Sequence, residues 1–216
     1  MTKKSVNKET ITEAALEILE EKGLSHLTMR NVAKKLDVKA PALYWYIKNK
    51  QELLQLIAEH ICNQIQLPQQ KDNWVEEIIL LSIEIRRILL AIPDGAEIMM
   101  DTLPITEKRL YLINGTLGIF HRAHFTDEQA FLATTLVDSY VTSFVLDEQK
   151  QQKMLREIGY EEVKKQFFEA ITAIPKKAIP FVYHHMLSPK SKVNDEESFL
   201  KGLNMIIAGM KAQLNI

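Results

Sequence analysis

LTMRNVAKKLDVKAPALYWYIKNKQELL, residues 27–54, holds two short helical segments set back to back. Thr28 is placed to cap the first, which carries Val32, Ala33 and Leu36 on its inner side. Asp37-Val38-Lys39 forms the turn, and Pro41 opens the next segment at its first position, where a missing N–H does no harm. Within residues 41–47, Leu43 and Ile47 stand four apart and face inward together. Asn49-Lys50-Gln51-Glu52 then reads as a capping box for a further helix with Leu53, Leu54, Ile57 and Ile61 along one side. Two helices of this length across so short a turn suit a helix-turn-helix.

That arrangement leaves Pro41, Ala42, Tyr44, Trp45, Tyr46 and Lys48 on the outer faces. Three adjacent ring positions cannot all point inward on one helix, so packing of a three-helix core does not account for them. Tyrosine hydroxyls, an indole N–H and lysine ammoniums are all donors to phosphate oxygens, which position a protein on a duplex without reading sequence. Ala40, Pro41 and Ala42 let the helix enter a major groove closely and offer only apolar contact, as to thymine methyls. The first fifty residues carry ten Lys or Arg against six Asp or Glu, while the whole chain has a net charge of −1. A basic end on an acidic body fits a polyanionic partner, or else a solvated face.

Working outward, the 216 residues contain only 7 Gly and 7 Pro, and none of the glycines falls between Gly23 and Gly95. So little punctuation favours long helices over many strands. Ile11, Ala14, Ala15 and Ile18 keep helical spacing ahead of Gly23, which is expected to act as a left-handed C-terminal cap. Asn73 with Glu76, Thr126 with Gln129 and Asn194 with Glu197 are further capping boxes, and Pro93-Asp94-Gly95 and Leu103-Pro104 interrupt the pattern. Residues 66–72, QLPQQKD, form the one linker-like stretch. They divide an N-terminal unit of residues 1–50, with its connecting helix to about 66, from a body of residues 67–216. The single cysteine, Cys62, excludes an internal disulfide and suits a reducing compartment. The N-terminal MTKKSVNKETITEAAL has no apolar signal segment. The most apolar run, residues 78–92, is broken by Glu84, Arg86 and Arg87 and is too charged for a membrane span. A cytoplasmic protein with no membrane partner is expected.

The last helical stretch bears Phe199, Leu203, Ile206, Met210 and Leu214 as a continuous apolar stripe, with Gly202 and Gly209 beside it. Such a stripe either packs into its own core or pairs with a second subunit. The second case predicts a homodimer built from the helix after Thr126 and the one after Asn194.

Residues 27–54 resemble the DNA-binding domain of the TetR family of bacterial one-component regulators, and most of all its tetracycline repressor branch, where Leu-Tyr-Trp followed by Lys-Asn-Lys is typical. The resemblance continues through Asp94-Gly95-Ala96, Leu103-Pro104, Thr106-Glu107-Lys108 and Val145-Leu146-Asp147-Glu148-Gln149, and ends in Phe199-Leu200-x-Gly202-Leu203. It implies an all-α protein, with a three-helix helix-turn-helix head joined to a helical ligand-binding and dimerisation domain. It further implies a homodimer on a palindromic double-stranded operator, released by a small-molecule inducer. Carried over by position, Thr28, Tyr44, Trp45, Lys48 and Lys50 look like phosphate contacts. Arg30, Ala40, Pro41 and Ala42 look base-facing, Tyr46 lies between the classes, and Lys39 joins the DNA-contacting set. Asp37 replaces a common glycine, which its tolerance of left-handed backbone permits. Ala40 and Ala42 replace polar base readers, leaving Arg30 as the one evident bidentate reader of guanine.

Positions matching the family's inducer pocket are Gln66, Leu81, Ile85, Met99, Thr102, Leu103, Pro104, Ile113, Thr116, Leu117, Phe131, Thr134 and Asp147. Taken singly, many of these are equally compatible with ordinary core. Tetracycline repressors place a histidine metal ligand where this chain has Met99 and an arginine where it has Leu103. Asp147 keeps a carboxylate of that site. A thioether is a poor ligand for magnesium, so no metal or other cofactor is expected, and the inducer is expected to be apolar or cationic. His121-x-x-His124 and His184-His185 lack ligand partners at a recognised spacing. No phosphate loop or nucleophile motif marks an enzyme. The expectation is a ligand-responsive repressor; the alternative is a dimeric ligand-binding accessory protein with no defined operator.

Overall fold

The computed structural model describes residues 5–186 and 195–214. Among these residues there are eleven α-helices and no strand. No described helix is long and apolar enough to cross a membrane.

Helix α1 (Lys8–Lys22) starts at Asn7, whose side chain accepts from the Thr10 amide while the Thr10 hydroxyl takes the Asn7 amide. It ends at Gly23 with φ 75° and ψ 176°, so the expected left-handed cap is a positive-φ but extended residue. The Gly23 amide still closes on the Leu19 carbonyl. A 3₁₀ turn (Leu24–His26) leads to α2 (Met29–Lys35), capped by Thr28, which accepts from the Asn31 amide. Asp37 takes φ 54°, the left-handed turn its side chain tolerates.

Helix α3 differs from expectation. It runs Ala40–Leu43, with Lys39 as N-cap and Pro41 second rather than first. Residues 44–46 tighten into a turn in which the Tyr46 and Ile47 amides both bond the Leu43 carbonyl. This keeps Leu43 and Ile47 buried together, 0% and 1% exposed, while freeing Asn49 to cap α4 (Lys50–Gln64). Glu52 completes that cap one residue further back than a capping box would, accepting from the Lys48 amide.

The body comprises α5 (Trp74–Ala91), α6 (Gly95–Met100), α7 (Glu107–Arg122), α8 (Asp127–Ile158), α9 (Tyr160–Thr172), α10 (Pro180–Met186) and α11 (Glu196–Leu214). The Thr126–Gln129 capping box forms in full. Asn73 accepts from the Val75 amide instead, because Glu76 turns to pair with Lys71. The Asn194 box lies outside the described residues.

Helix α4 packs on α1 in the head and on α6 and α7 in the body, and its Leu53, Ile57 and Ile61 belong to one continuous core. Trp74, Phe120 and Phe125 close the far end of that core with ring centroids 5.0–5.8 Å apart. Phe199 stacks on Tyr140 at 5.6 Å and meets Phe144 edge-on at 5.3 Å, locking α11 to α8.

The α11 stripe therefore has its partner within the same chain. Phe199, Leu203 and Met210 are buried and Ile206 half-buried, while the Leu214 side chain is outside the described residues. Gly202 admits Tyr140 rather than a second backbone, since a Cβ there would collide with the Tyr140 hydroxyl. That hydroxyl donates to the Phe199 carbonyl at 2.8 Å. Truncating Phe199 to Ala should cost about 3–5 kcal/mol, seen as a lower urea midpoint with little change in slope. Phe199→Leu should cost less than half of that.

Candidate nucleic-acid interface and sensor region

On the head, the three rings are turned outward: Trp45 is 88% exposed, and Tyr44 and Tyr46 are also open to solvent. Core packing is thereby excluded as their role. Thr28, Arg30, Lys39, Pro41, Lys48 and Lys50 are exposed, and Ala40 and Ala42 are half-buried. Arg30, Lys39 and Ala40 line a cleft between α2 and α3, and Lys34, which the motif alone did not single out, lines it with them. Lys35 is spent differently. It bridges Glu17 and Glu21 on α1 at 2.8 and 2.6 Å, pinning α2 in place.

The short helix α6 is tied to everything around it. At its N-terminus Asp94 sits in the left-handed region, φ 56°, and its carboxylate accepts from the Leu24 amide of the head at 2.6 Å. A side chain at Gly23 would crowd that carboxylate and would also have to adopt positive φ. Gln149 of α8 donates to the Leu89 and Ile92 carbonyls and receives the Ala96 amide, clamping the break between α5 and α6. Beyond the other end, Gln51 of α4 donates to the Asp101 carbonyl at 2.7 Å. Arg109 of α7 donates to the Met99 and Thr102 carbonyls, both at 3.0 Å, and to the Thr102 hydroxyl at 2.9 Å. Glu59 of α4 accepts from the Lys108 amide at the start of α7. A displacement of α6 thus loads α4 and the head directly.

The residues matched to an inducer pocket separate into groups. Leu81 and Ile85 on α5, Met99 on α6, Thr102 just beyond it and Thr116 on α7 are buried. Ile113 and Leu117 on α7 and Thr134 on α8 are half-buried, and the Thr134 hydroxyl is enclosed without a hydrogen-bond partner. They lie on neighbouring helices, with α5 packed on α6, α7 and α8, and α8 packed on α6 and α7. Leu103, Pro104 and Phe131 are exposed. Gln66 is not gathered with them; it lines a separate surface groove with Leu67, Pro68, Leu80, Glu84 and Arg87. Asp147 is exposed too, while its neighbours Glu148 and Gln149 turn inward.

Two charged residues escaped the sequence reading. Arg109 falls within the α7 stretch that begins with ordinary surface residues, and Asp138 stands one turn after Thr134 on α8. Asp138 keeps an exposed surface, and desolvation by the protein around it raises its carboxyl against the opposing pull of Arg109. Burial also pushes the Cys62 thiol up to about 12, so it stays neutral. The only sequence signal for Asp138 was its register, seven residues after Phe131 and so on nearly the same face.

A hard divalent cation needs several oxygen ligands. Met99 offers a buried thioether, Asp147 lies exposed on another helix, and no group of three His, Cys, Asp or Glu among the described residues is arranged to hold a metal. These donors do not suit magnesium.

Residues 67–214 match the family model for the tetracyclin repressor-like C-terminal domain, and residues 11–57 match that for bacterial regulatory proteins of the tetR family. The chain is 29% identical over 212 residues to the class D tetracycline repressor protein of Escherichia coli, covering 97% of this chain and 91% of that one. Among solved structures it resembles Streptomyces coelicolor ActR in complex with actinorhodin, with a TM-score of 0.81, 25% identity and 97% of each chain covered. It also resembles BioQ bound to its double-stranded DNA operator, with a TM-score of 0.67, 25% identity, and 96% of this chain and 99% of that one covered.

The tie between head and body is directly testable. Asp94→Ala removes the acceptor for the Leu24 amide and burdens a left-handed position, so it should cost about 1–3 kcal/mol and speed hydrogen exchange at Leu24. Asp94→Asn, which keeps an acceptor and tolerates that backbone, should cost less.

Proposed function

The chain belongs to the TetR family of bacterial regulatory proteins, and we propose that within it this protein is a ligand-responsive transcriptional repressor. The observation that carries the proposal is the exposed aromatic and lysine surface of a head that is hydrogen-bonded, through the 3₁₀ turn after α1 and through α4, to the two ends of α6. Tyr44, Trp45, Lys48 and Lys50 hold phosphates, with Thr28 and Lys39 beside them. Arg30 reads a guanine, and Ala40, Pro41 and Ala42 make apolar contact with neighbouring bases. Residues 1–50 and the start of α4 form the DNA-binding domain, and residues 67–216 the sensing and dimerisation domain. The protein acts in the cytoplasm, and no enzymatic step belongs to this function.

The protein works as a homodimer. The face of α11 turned away from its own core carries Met205, Ala208, Gly209 and Ala212, and exposed Leu132 and Leu136 lie on neighbouring α8. Small residues on α11 let a second copy approach closely, and Gly209 has open space around it. A self-complementary patch of this kind suits a two-fold axis.

A metal-independent inducer, apolar or cationic, binds near Met99, Thr102 and Leu103. It shifts α6, and through Gln51 and Leu24 it shifts the heads. The two recognition segments then no longer match half-sites about one helical turn apart. Emptying the operator from 99:1 to 1:99 needs roughly 5.5 kcal/mol of differential affinity.

Gel shifts on DNA from beside the protein's own gene test the repressor. Arg30→Ala should cost roughly 1–3 kcal/mol and relax one base preference, while Lys50→Ala should weaken all sequences alike and lower the salt slope by about 1. Absence of any preferred sequence would point to the accessory-protein alternative. Tetracycline with magnesium should not release the complex; magnesium-dependent release would overturn the argument from Met99. Light scattering at micromolar concentration should give a dimer, and Met205→Glu with Ala208→Glu should give a monomer.

A further inference from the structure

We propose that Asp37, in the turn between α2 and α3, is a specificity-determining residue that selects a cytosine close to the guanine read by Arg30; this rests on the DNA-binding function proposed above. Between Lys22 and Glu52 the chain carries six Lys or Arg and a single acid, Asp37. The other acids of residues 1–50 all lie on α1. The backbone makes this acid harder to account for as neutral filler. Asp37 takes φ 54°, a left-handed position that disfavours any residue with a Cβ. Aspartate is tolerated at such positions because its carboxylate can bond a nearby backbone group. Here the amide bonds the Lys34 carbonyl at 3.2 Å, but the exposed carboxylate makes no hydrogen bond or ion pair among the described residues.

Its surroundings are those of the base-facing side of the head. Asp37 lines a cleft of about 950 Å³ with Arg30, Lys34, Lys39 and Ala40. Arg30 and Lys34 stand four apart on α2 and so share one side of it, and Lys39 is the N-cap of α3. None of these three cations forms an ion pair among the described residues, whereas Lys35 beside them is held by Glu17 and Glu21. The cleft thus presents free cations and one free carboxylate together. It opens at the leading end of α3, the end that a recognition helix directs at base edges.

A carboxylate only accepts hydrogen bonds, and this decides which base it suits. In the major groove guanine presents O6 and N7 and thymine presents O4, all of them acceptors. Adenine sets its N7 acceptor beside the N6 amino group. Cytosine offers its N4 amino group with no acceptor on the same base edge. Phosphates repel Asp37 wherever no amino group rewards it. The residue therefore raises discrimination partly by weakening the wrong sequences.

Selection from a duplex library randomised over both half-sites, at one fixed salt concentration, tests this with the full-length protein and its Asp37→Gly variant. The parent should enrich cytosine at one position of each half-site. Asp37→Gly should reduce that preference by about tenfold while binding sequences with other bases there as tightly as the parent or more so. Glycine suits the left-handed turn, so the variant should melt no lower than the parent, which separates lost reading from lost fold. Coinciding base profiles for the two proteins, or a uniform gain on every sequence with the cytosine preference intact, would overturn the assignment. So would a changed position at which the parent prefers any base other than cytosine. If the parent enriches no sequence at all, the DNA-reading function itself falls, and this inference with it.

Discussion

The burial of α4 on opposite sides by two different groups of helices constrains the rest of the molecule. Its Leu53 and Ile57 complete the small core of the head, while Ile61 and Cys62 lie in the same continuous core that runs into the body. A helix held this way cannot tilt without repacking both ends, and close-packed interiors respond to such a demand by switching rather than by bending gradually. The polar ties at α6 join it to the head, to α4 and to α7. Three of them, from Leu24, Gln51 and Arg109, converge on a helix of only six residues.

Elsewhere the body is pinned by charges that cannot slide. Arg86 reaches both oxygens of Glu148 at 2.9 and 3.0 Å, and its guanidinium lies 5.4 Å from the centre of the Phe199 ring. Arg122 holds Glu77, which is 2% exposed, at 2.7 Å. Pairs with one or both members out of water add little net stability compared with apolar residues of similar size, but stripping the partner from a buried carboxylate is costly. Their effect here is to fix the register of α5 against α7, α8 and α11.

Much of this was legible in residue order. Thr28, Asn49 and Thr126 mark helix starts because a side-chain oxygen must take an otherwise unpaired amide, and each does so. The outward turn of Tyr44, Trp45 and Tyr46 followed from the inward demand of Leu43 and Ile47. Periodicity tells which face of a helix is covered but not by what. The α11 stripe was therefore open to two interpretations until Tyr140 was seen to fill the space beside Gly202. The shortness of α3 was hidden for a related reason, since burying Ile47 while freeing Asn49 is a compromise between two neighbouring elements.

The positions of the two tryptophans give the molecule a built-in optical readout. Trp45 stands almost wholly in water at the tip of the head, and Trp74 leans on Phe120 and Phe125 at the far end of the body. Water around one indole and hydrocarbon around the other separate their emission in wavelength. Quenching at the red edge then reports events at the head, and changes at the blue edge report repacking of the body. Light alone can follow both ends of the same chain without a label.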